Sequence, residues 1–136
     1  MTALDGIRVL DFSRVLAGPY CTLVLGDLGA EIIKIENPQG GDDTRGFNVS
    51  PTLDFSTYFL AVNRNKKSVA IDIRTTEGRD AIRAMAVNAD VVIENYRSGV
   101  MERYGIGYED LSQINPRLVF ASVSAYGRDG PLKDRP

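Results

Sequence analysis

Arg14, Arg64, Lys66, Lys67, Arg74, Arg97 and Arg103 are the side chains most open to ligand chemistry, because Arg74 and Arg97 each follow a stretch that reads as a strand. Cations converging at the rim of a sheet suit a phosphorylated ligand, which guanidinium forks grip through paired N–H donors. Each cation taken singly also reads as ordinary solvated surface. A second candidate is the turn Ala17-Gly18-Pro19. Gly18 at an N-cap and Pro19 at a first helical position start a helix, and the free N–H groups at such a start form an anion site. Gly18 would let a ligand approach the backbone, and Arg14 would add a charge-assisted contact. The alternative is a turn that only starts a helix. Asn95 and Tyr96, after Glu94, offer an amide and a ring to an adenine or a pantetheine amide, or simply form a turn. Cys21 reads as buried packing. Asp42 and Asp43 sit among glycines and read as loop residues rather than a catalytic pair. There is no histidine, which removes any Ser-His or Cys-His dyad, and no metal-ligand spacing is found.

These side chains need elements to hold them. Ile7–Phe12 reads as a buried strand and Glu31–Glu36 (EIIKIE) as a second. Between them the pattern predicts a helix from Pro19, with Tyr20, Leu23, Val24 and Leu28 as its apolar face and Gly29 as its stop. Residues 37–54 read as a long irregular segment of the kind that is often functional. Phe55–Ala61 reads as a short helical piece and Ser68–Ile73 as a third strand. A helix from Glu77 places Ile82, Met85, Ala86 and Ala89 on one face. Asp90–Glu94 and Leu118–Ser124 read as further strands, with short helices at Ser98–Tyr104 and Tyr108–Gln113 between them. Alternating strands and helices predict an α/β domain: an open, mostly parallel, Rossmann-like sheet with flanking helices. Ligands of such sheets sit beyond the carboxyl ends of the strands. No helix follows the last strand to cover it, so residues 1–136 read as the N-terminal piece of a longer protein, a Rossmann-like domain incomplete without a C-terminal part.

Composition excludes several classes. A net charge of −2 argues against nucleic-acid binding. No apolar run approaches the roughly 20 residues of a membrane span, and the N-terminus lacks the pattern of a signal peptide. A single cysteine excludes an internal disulfide and fits a reducing, cytoplasmic setting. A dinucleotide site asks for G-x-G-x-x-G directly after the first strand. Only Gly18 is present, although Glu36 imitates the ribose-binding acid, so NAD and FAD match poorly.

The stretches LDGIRVLDFSRVLAGPYCTLVLGDLGAEIIKIE, GGDDTRG, NRNKKSVAIDIRTTEG, ADVVIENYRSGVMERYGI and NPRLVFASVSAYGRDGP, in this order, resemble the family III CoA-transferases. That group includes formyl-CoA transferase and carnitine CoA-transferase, with α-methylacyl-CoA racemases as relatives. The resemblance implies coenzyme A, as an acyl thioester, for a substrate, with a carboxylic acid as acceptor and no tightly bound cofactor. It implies that Arg14, Val15 and Ala17 line the CoA site and that Ile71 and Arg74 hold its nucleotide end. Asn95, Tyr96 and Arg103 add contacts there; Leu16 and the rim residue Arg97 complete the expected set. Formyl-CoA transferases carry a glutamine at Leu16 and a histidine at Arg14. Leucine cannot hydrogen-bond a small acyl oxygen, so a bulkier or dicarboxylic acyl group is expected. The resemblance also implies a nucleophilic aspartate beyond Pro136, an aspartyl anhydride and aspartyl-CoA thioester mechanism, and an interlocked homodimer. The racemases would use a histidine and an aspartate, also beyond Pro136. A non-catalytic CoA-binding module is the remaining alternative.

Overall fold

A computed structural model describes residues 2–47, 55–133 and 135. Its strands are β1 (Arg8–Asp11), β2 (Glu31–Glu36), β3 (Lys66–Ala70), β4 (Val91–Glu94) and β5 (Val119–Ser122). The helices are α1 (Ala17–Asp27), α2 (Thr57–Asn63), α3 (Thr76–Ala86), α4 (Val100–Arg103) and α5 (Tyr108–Ile114), with a 3-10 turn at Asp43–Gly46. The sheet order is β3-β2-β1-β4-β5 and every pairing is parallel. The Rossmann-like reading therefore holds. The order reverses between β1 and β4, and at such a switch point the crossovers lie on opposite faces and leave a crevice.

Side chains alternate across the sheet, as the pleat requires. Leu10, Phe12, Ile35 and Val92 enter one core with Ile82 and Ala86 of α3, Met101 of α4 and Leu111 of α5. Val9, Ile32 and Ile93 enter a second core with Leu25 of α1. Helix α3 follows the periodicity: Ile82 and Ala86 are buried and Met85 is partly buried against the same core, with the buried Ala89 just past the helix end, and Thr75 caps it by accepting from the Gly78 N–H at 3.0 Å.

Several local expectations shift. β3 runs Lys66–Ala70 rather than Ser68–Ile73, because pairing with Ile32–Glu36 sets its register. Ile71–Ile73 pass beyond it into the turn before α3. α2 begins two residues later than expected, behind a Ser56 cap. Leu16 is the N-cap of α1, so Gly18 and Pro19 are its second and third residues, not cap and first residue. The predicted apolar face of α1 is not its buried face. Leu23 is buried, but Tyr20, Val24 and Leu28 are exposed, and the helix turns Gly18, Pro19 and Thr22 to the sheet instead. Cys21 is exposed rather than packed. Within the long segment 37–54, residues 48–54 lie outside the described residues.

Candidate functional site

The turn after β1 is held from four directions. The Ser13 N–H donates to Asp11 Oδ1 at 2.9 Å, and the Ser13 carbonyl accepts from Lys34 Nζ at 2.8 Å. Arg14 donates its N–H to Asn95 Oδ1, and its carbonyl accepts from Asn95 Nδ2, both at 2.8 Å. The Val15 N–H donates to Asp42 Oδ1 at 3.3 Å. Each main-chain polar group from the Ser13 N–H to the Val15 N–H is thus satisfied by a side chain, as buried backbone demands. Val15 has φ 69°, the left-handed region that β-branched residues avoid. Gly18 has a different role from the one expected. A Cβ there would lie 2.2 Å from the Ser13 Cβ, so glycine permits packing of α1 on the turn rather than approach of a ligand.

Beneath the turn lie two buried ion pairs. Lys66 Nζ is 3.1 Å from Asp11 Oδ2, and Lys34 Nζ is 2.9 Å from Asp42 Oδ2. The second contact lacks hydrogen-bond alignment at Oδ2, so it is chiefly ionic. Burial pushes the Lys66 ammonium below its ordinary pKa, against the pull of Asp11. Burial would raise the Asp42 carboxyl, but hydrogen bonds from Thr44 and the contact with Lys34 hold it below the usual value. Glu36 accepts a bidentate pair from Arg45 at 2.7 Å, a bond from Ser68 Oγ at 2.6 Å and one from the Asp42 N–H at 2.9 Å. Burial opposes its ionisation, yet these donors together bring its pKa to about 2. Glu36 is committed to the fold, which removes the resemblance to a ribose-binding acid.

Two clefts open at the carboxyl edge. The smaller, of about 200 Å³, lies over β1–β2–β3 and is lined by Arg14, Glu36, Ile71, Arg74, Tyr96 and Tyr104 among others. The Arg14 guanidinium sits 5.5 Å from the Tyr96 ring centroid and 3.3 Å from Asp43. Arg74 bonds Asp72 at 2.7 Å and Gln39 at 3.0 Å; its hydrogen bonds hold the Asp72 carboxyl at about 2. The larger cleft, of about 790 Å³, lies at the switch point and the ends of β4 and β5. Ala17, Asn95, Tyr96, Arg97 and Arg103 line it, together with Lys133 and Arg135. Tyr96 belongs to both clefts, and burial raises its phenol pKa. Val15 and Leu16 are exposed on the turn beside them, at 39% and 48%.

The expected cations therefore separate. Arg14, Arg74, Arg97 and Arg103 reach the clefts. Lys66 is buried under the turn. Arg64, paired with Asp27, and Lys67, 2.6 Å from Glu31, lie at the amino edge of the sheet, away from any ligand end. Sequence reading missed Lys34, Lys133 and Arg135. Lys34 was legible as the polar member of EIIKIE on the same side as Glu36, and Lys133 and Arg135 as basic residues beyond β5. Asp42 was seen, but its burial was not.

No helix is long and apolar enough to cross a membrane. Among the described residues no group of acidic or cysteine side chains could hold a metal. The chain is 47% identical over 135 residues to succinyl-CoA:glutarate CoA-transferase of Mus musculus, covering 99% of this chain and 31% of that protein. It is 47% identical over 133 residues to acetyl-CoA:oxalate CoA-transferase of Acetobacter aceti, covering 97% of this chain and 34% of that one. A crystal structure of a CAIB/BAIF family protein from Brucella suis superposes with a TM-score of 0.92 at 43% identity, over 98% of this chain and 36% of the other. The chain thus spans about a third of the length of the curated relatives it matches. The family model described as CoA-transferase family III matches residues 4–136, and the chain belongs to CoA-transferase family III.

Proposed function

We propose that these residues form the coenzyme A-binding part of an enzyme that moves CoA from an acyl-CoA to a carboxylic acid. One observation carries the reading. Arg97, Arg103, Lys133 and Arg135 line a cleft of about 790 Å³, and among the described residues that cleft has no carboxylate in its lining and none of the four forms an ion pair. Coenzyme A carries a pyrophosphate and a 3′-phosphate, and uncommitted cations in a switch-point crevice suit them. Ile71 and Arg74 in the smaller cleft supply an apolar wall and a further cation for the nucleotide end. Arg14, Ala17, Asn95 and Tyr96 stand where the clefts meet.

In this proposal the nucleophile is an aspartate outside these residues. Its carboxylate attacks the thioester carbonyl, forming an aspartyl mixed anhydride and releasing the CoA thiolate. The thiolate attacks the aspartyl carbonyl, giving an aspartyl-CoA thioester and the free donor acid. The acceptor carboxylate then displaces CoA to form a second anhydride, and the thiolate attacks its acyl carbon to give the new acyl-CoA and free aspartate. Division into such steps lowers each barrier. This chain's residues bind the nucleotide and fix the thioester's position. Leu16 and Val15 present apolar surface on the turn, which favours a longer, dicarboxylic acyl group over formyl or oxalyl. The same proposal makes the enzyme a cytoplasmic homodimer.

The test uses the longest gene product containing these residues, incubated with succinyl-CoA and either glutarate or oxalate, with thioesters read by mass spectrometry. Formation of glutaryl-CoA in preference to oxalyl-CoA is expected. No new thioester with any carboxylate would overturn the transferase reading. Inversion of a 2-methylacyl-CoA without an acceptor would assign the racemase reading instead.

A further inference from the structure

The β1–β4 ladder ends where the Phe12 N–H donates to the Ile93 carbonyl at 2.8 Å. Beyond it the two chains part, β1 into the turn and β4 towards α4. Main-chain pairing stops, yet the Asn95 carboxamide continues it. Its oxygen accepts from the Arg14 N–H and its nitrogen donates to the Arg14 carbonyl, both at 2.8 Å, across 81 residues of sequence. A carboxamide has the same donor and acceptor as a peptide group, so it replaces the missing strand neighbour of Arg14. Next along the turn, Asp42 takes the Val15 N–H. With residue 14 fixed on both sides and residue 15 held at its N–H, the chain reaches α1 through the left-handed Val15. A strained conformation of this kind persists only where its surroundings over-determine it.

We infer that Asn95 is a positioning residue: its carboxamide holds the Arg14–Leu16 turn in the conformation that places Arg14 and Ala17 on the two clefts. The inference rests on the coenzyme A reading of those clefts. It gives Asn95 a different role from a direct ligand contact, since its acceptor oxygen and one of its two N–H donors already serve Arg14. Tyr96, Arg97 and the cleft's other cations are left to meet the ligand.

The experiment compares the longest gene product with its Asn95→Ala, Val15→Gly and doubly substituted forms. Amide hydrogen exchange at Arg14 and Val15 reads the clamp itself; Asn95→Ala is expected to speed it about tenfold, the loss of roughly one such hydrogen bond. Calorimetric titration with coenzyme A reads the consequence. Asn95→Ala is expected to weaken binding about fivefold to tenfold, and Val15→Gly in that background to restore most of it, because glycine enters the left-handed region without a clamp. Additive losses would show that Asn95 touches the ligand and would overturn the inference. Unchanged exchange, or a lower melting temperature with unchanged affinity, would overturn it as well. If the unsubstituted protein binds no coenzyme A, the functional reading falls, while the exchange measurement still decides the clamp.

Discussion

Beneath the turn after β1, Lys34 and Lys66 have buried side chains, with carboxylates 2.9 and 3.1 Å from their ammonium groups. At the β4–β5 end of the carboxyl edge, Arg97 and Arg103 are exposed, line the larger cleft and make no ion pair among the described residues. Lys34 lies within β2 and Lys66 opens β3, whereas Arg97 follows β4 and Arg103 closes α4; all four are basic, and their environments separate them. A buried cation must be matched by an acid and by acceptors, so it can hold a turn but has nothing left for a ligand. An exposed, unmatched cation contributes little to the fold and keeps its donors. Arg14 stands between these regimes, sharing Asp43 and the Tyr96 ring while bordering the smaller cleft.

Breaking the committed side should have the largest effect. Lys34→Met strands the Asp42 carboxylate and removes the donor to the Ser13 carbonyl, so a loss of about 3–5 kcal/mol is expected by urea unfolding. A loss below about 1 kcal/mol, as for a surface pair, would erase the distinction.

Glu36 gives the next effect. Its folded pKa of about 2 lies below the usual 4.5, so its stabilisation is complete above pH 4.5 and is lost as pH falls from 4.5 towards 2. The shift corresponds to roughly 3 kcal/mol. Glu36→Gln should lower stability at pH 7 and make the acid limb of a stability–pH profile shallower. An unchanged limb would show that Arg45 and Ser68 do not hold this carboxylate.

Gly18→Ala sharpens the same side at a smaller scale. The new methyl meets Ser13 at a distance no relaxed Cβ adopts, and overpacking of this kind costs about 1–3 kcal/mol. A neutral substitution would return Gly18 to the role of a ligand-approach glycine.

Much of this was legible in the sequence. EIIKIE gave the bounds of β2 because a glutamate closes each end of a short isoleucine-rich run, and the order of elements gave the parallel sheet. The start of α1 was misread because Gly-Pro is a helix-start signal, whereas the cap is Leu16 and Gly18 answers to Ser13, a contact made by the fold. Tyr20, Val24 and Leu28 were assigned inward by periodicity alone, but Thr22 takes the inward place because its hydroxyl meets Asp11 at 2.6 Å. The partition of the cations was not legible: whether Lys66 or Arg103 finds a carboxylate depends on residues such as Asp11, 55 positions from Lys66. Arg14, Arg74, Asn95, Tyr96 and Arg97 were placed at strand ends from sequence, Ile71 and Arg103 came only with the family resemblance, and all seven line the two clefts.

The smallest expected change in stability accompanies the most direct test. Arg103→Ala and Arg64→Ala should each alter unfolding free energy by no more than about 0.5 kcal/mol, since both side chains are exposed. Calorimetric titration of coenzyme A into the longest gene product should show about tenfold weaker binding for Arg103→Ala, equivalent to about 1.4 kcal/mol, and less than about a twofold change for Arg64→Ala. Equal effects of the two substitutions, or undiminished affinity without Arg103, would contradict the division of the carboxyl edge into committed and ligand-binding cations.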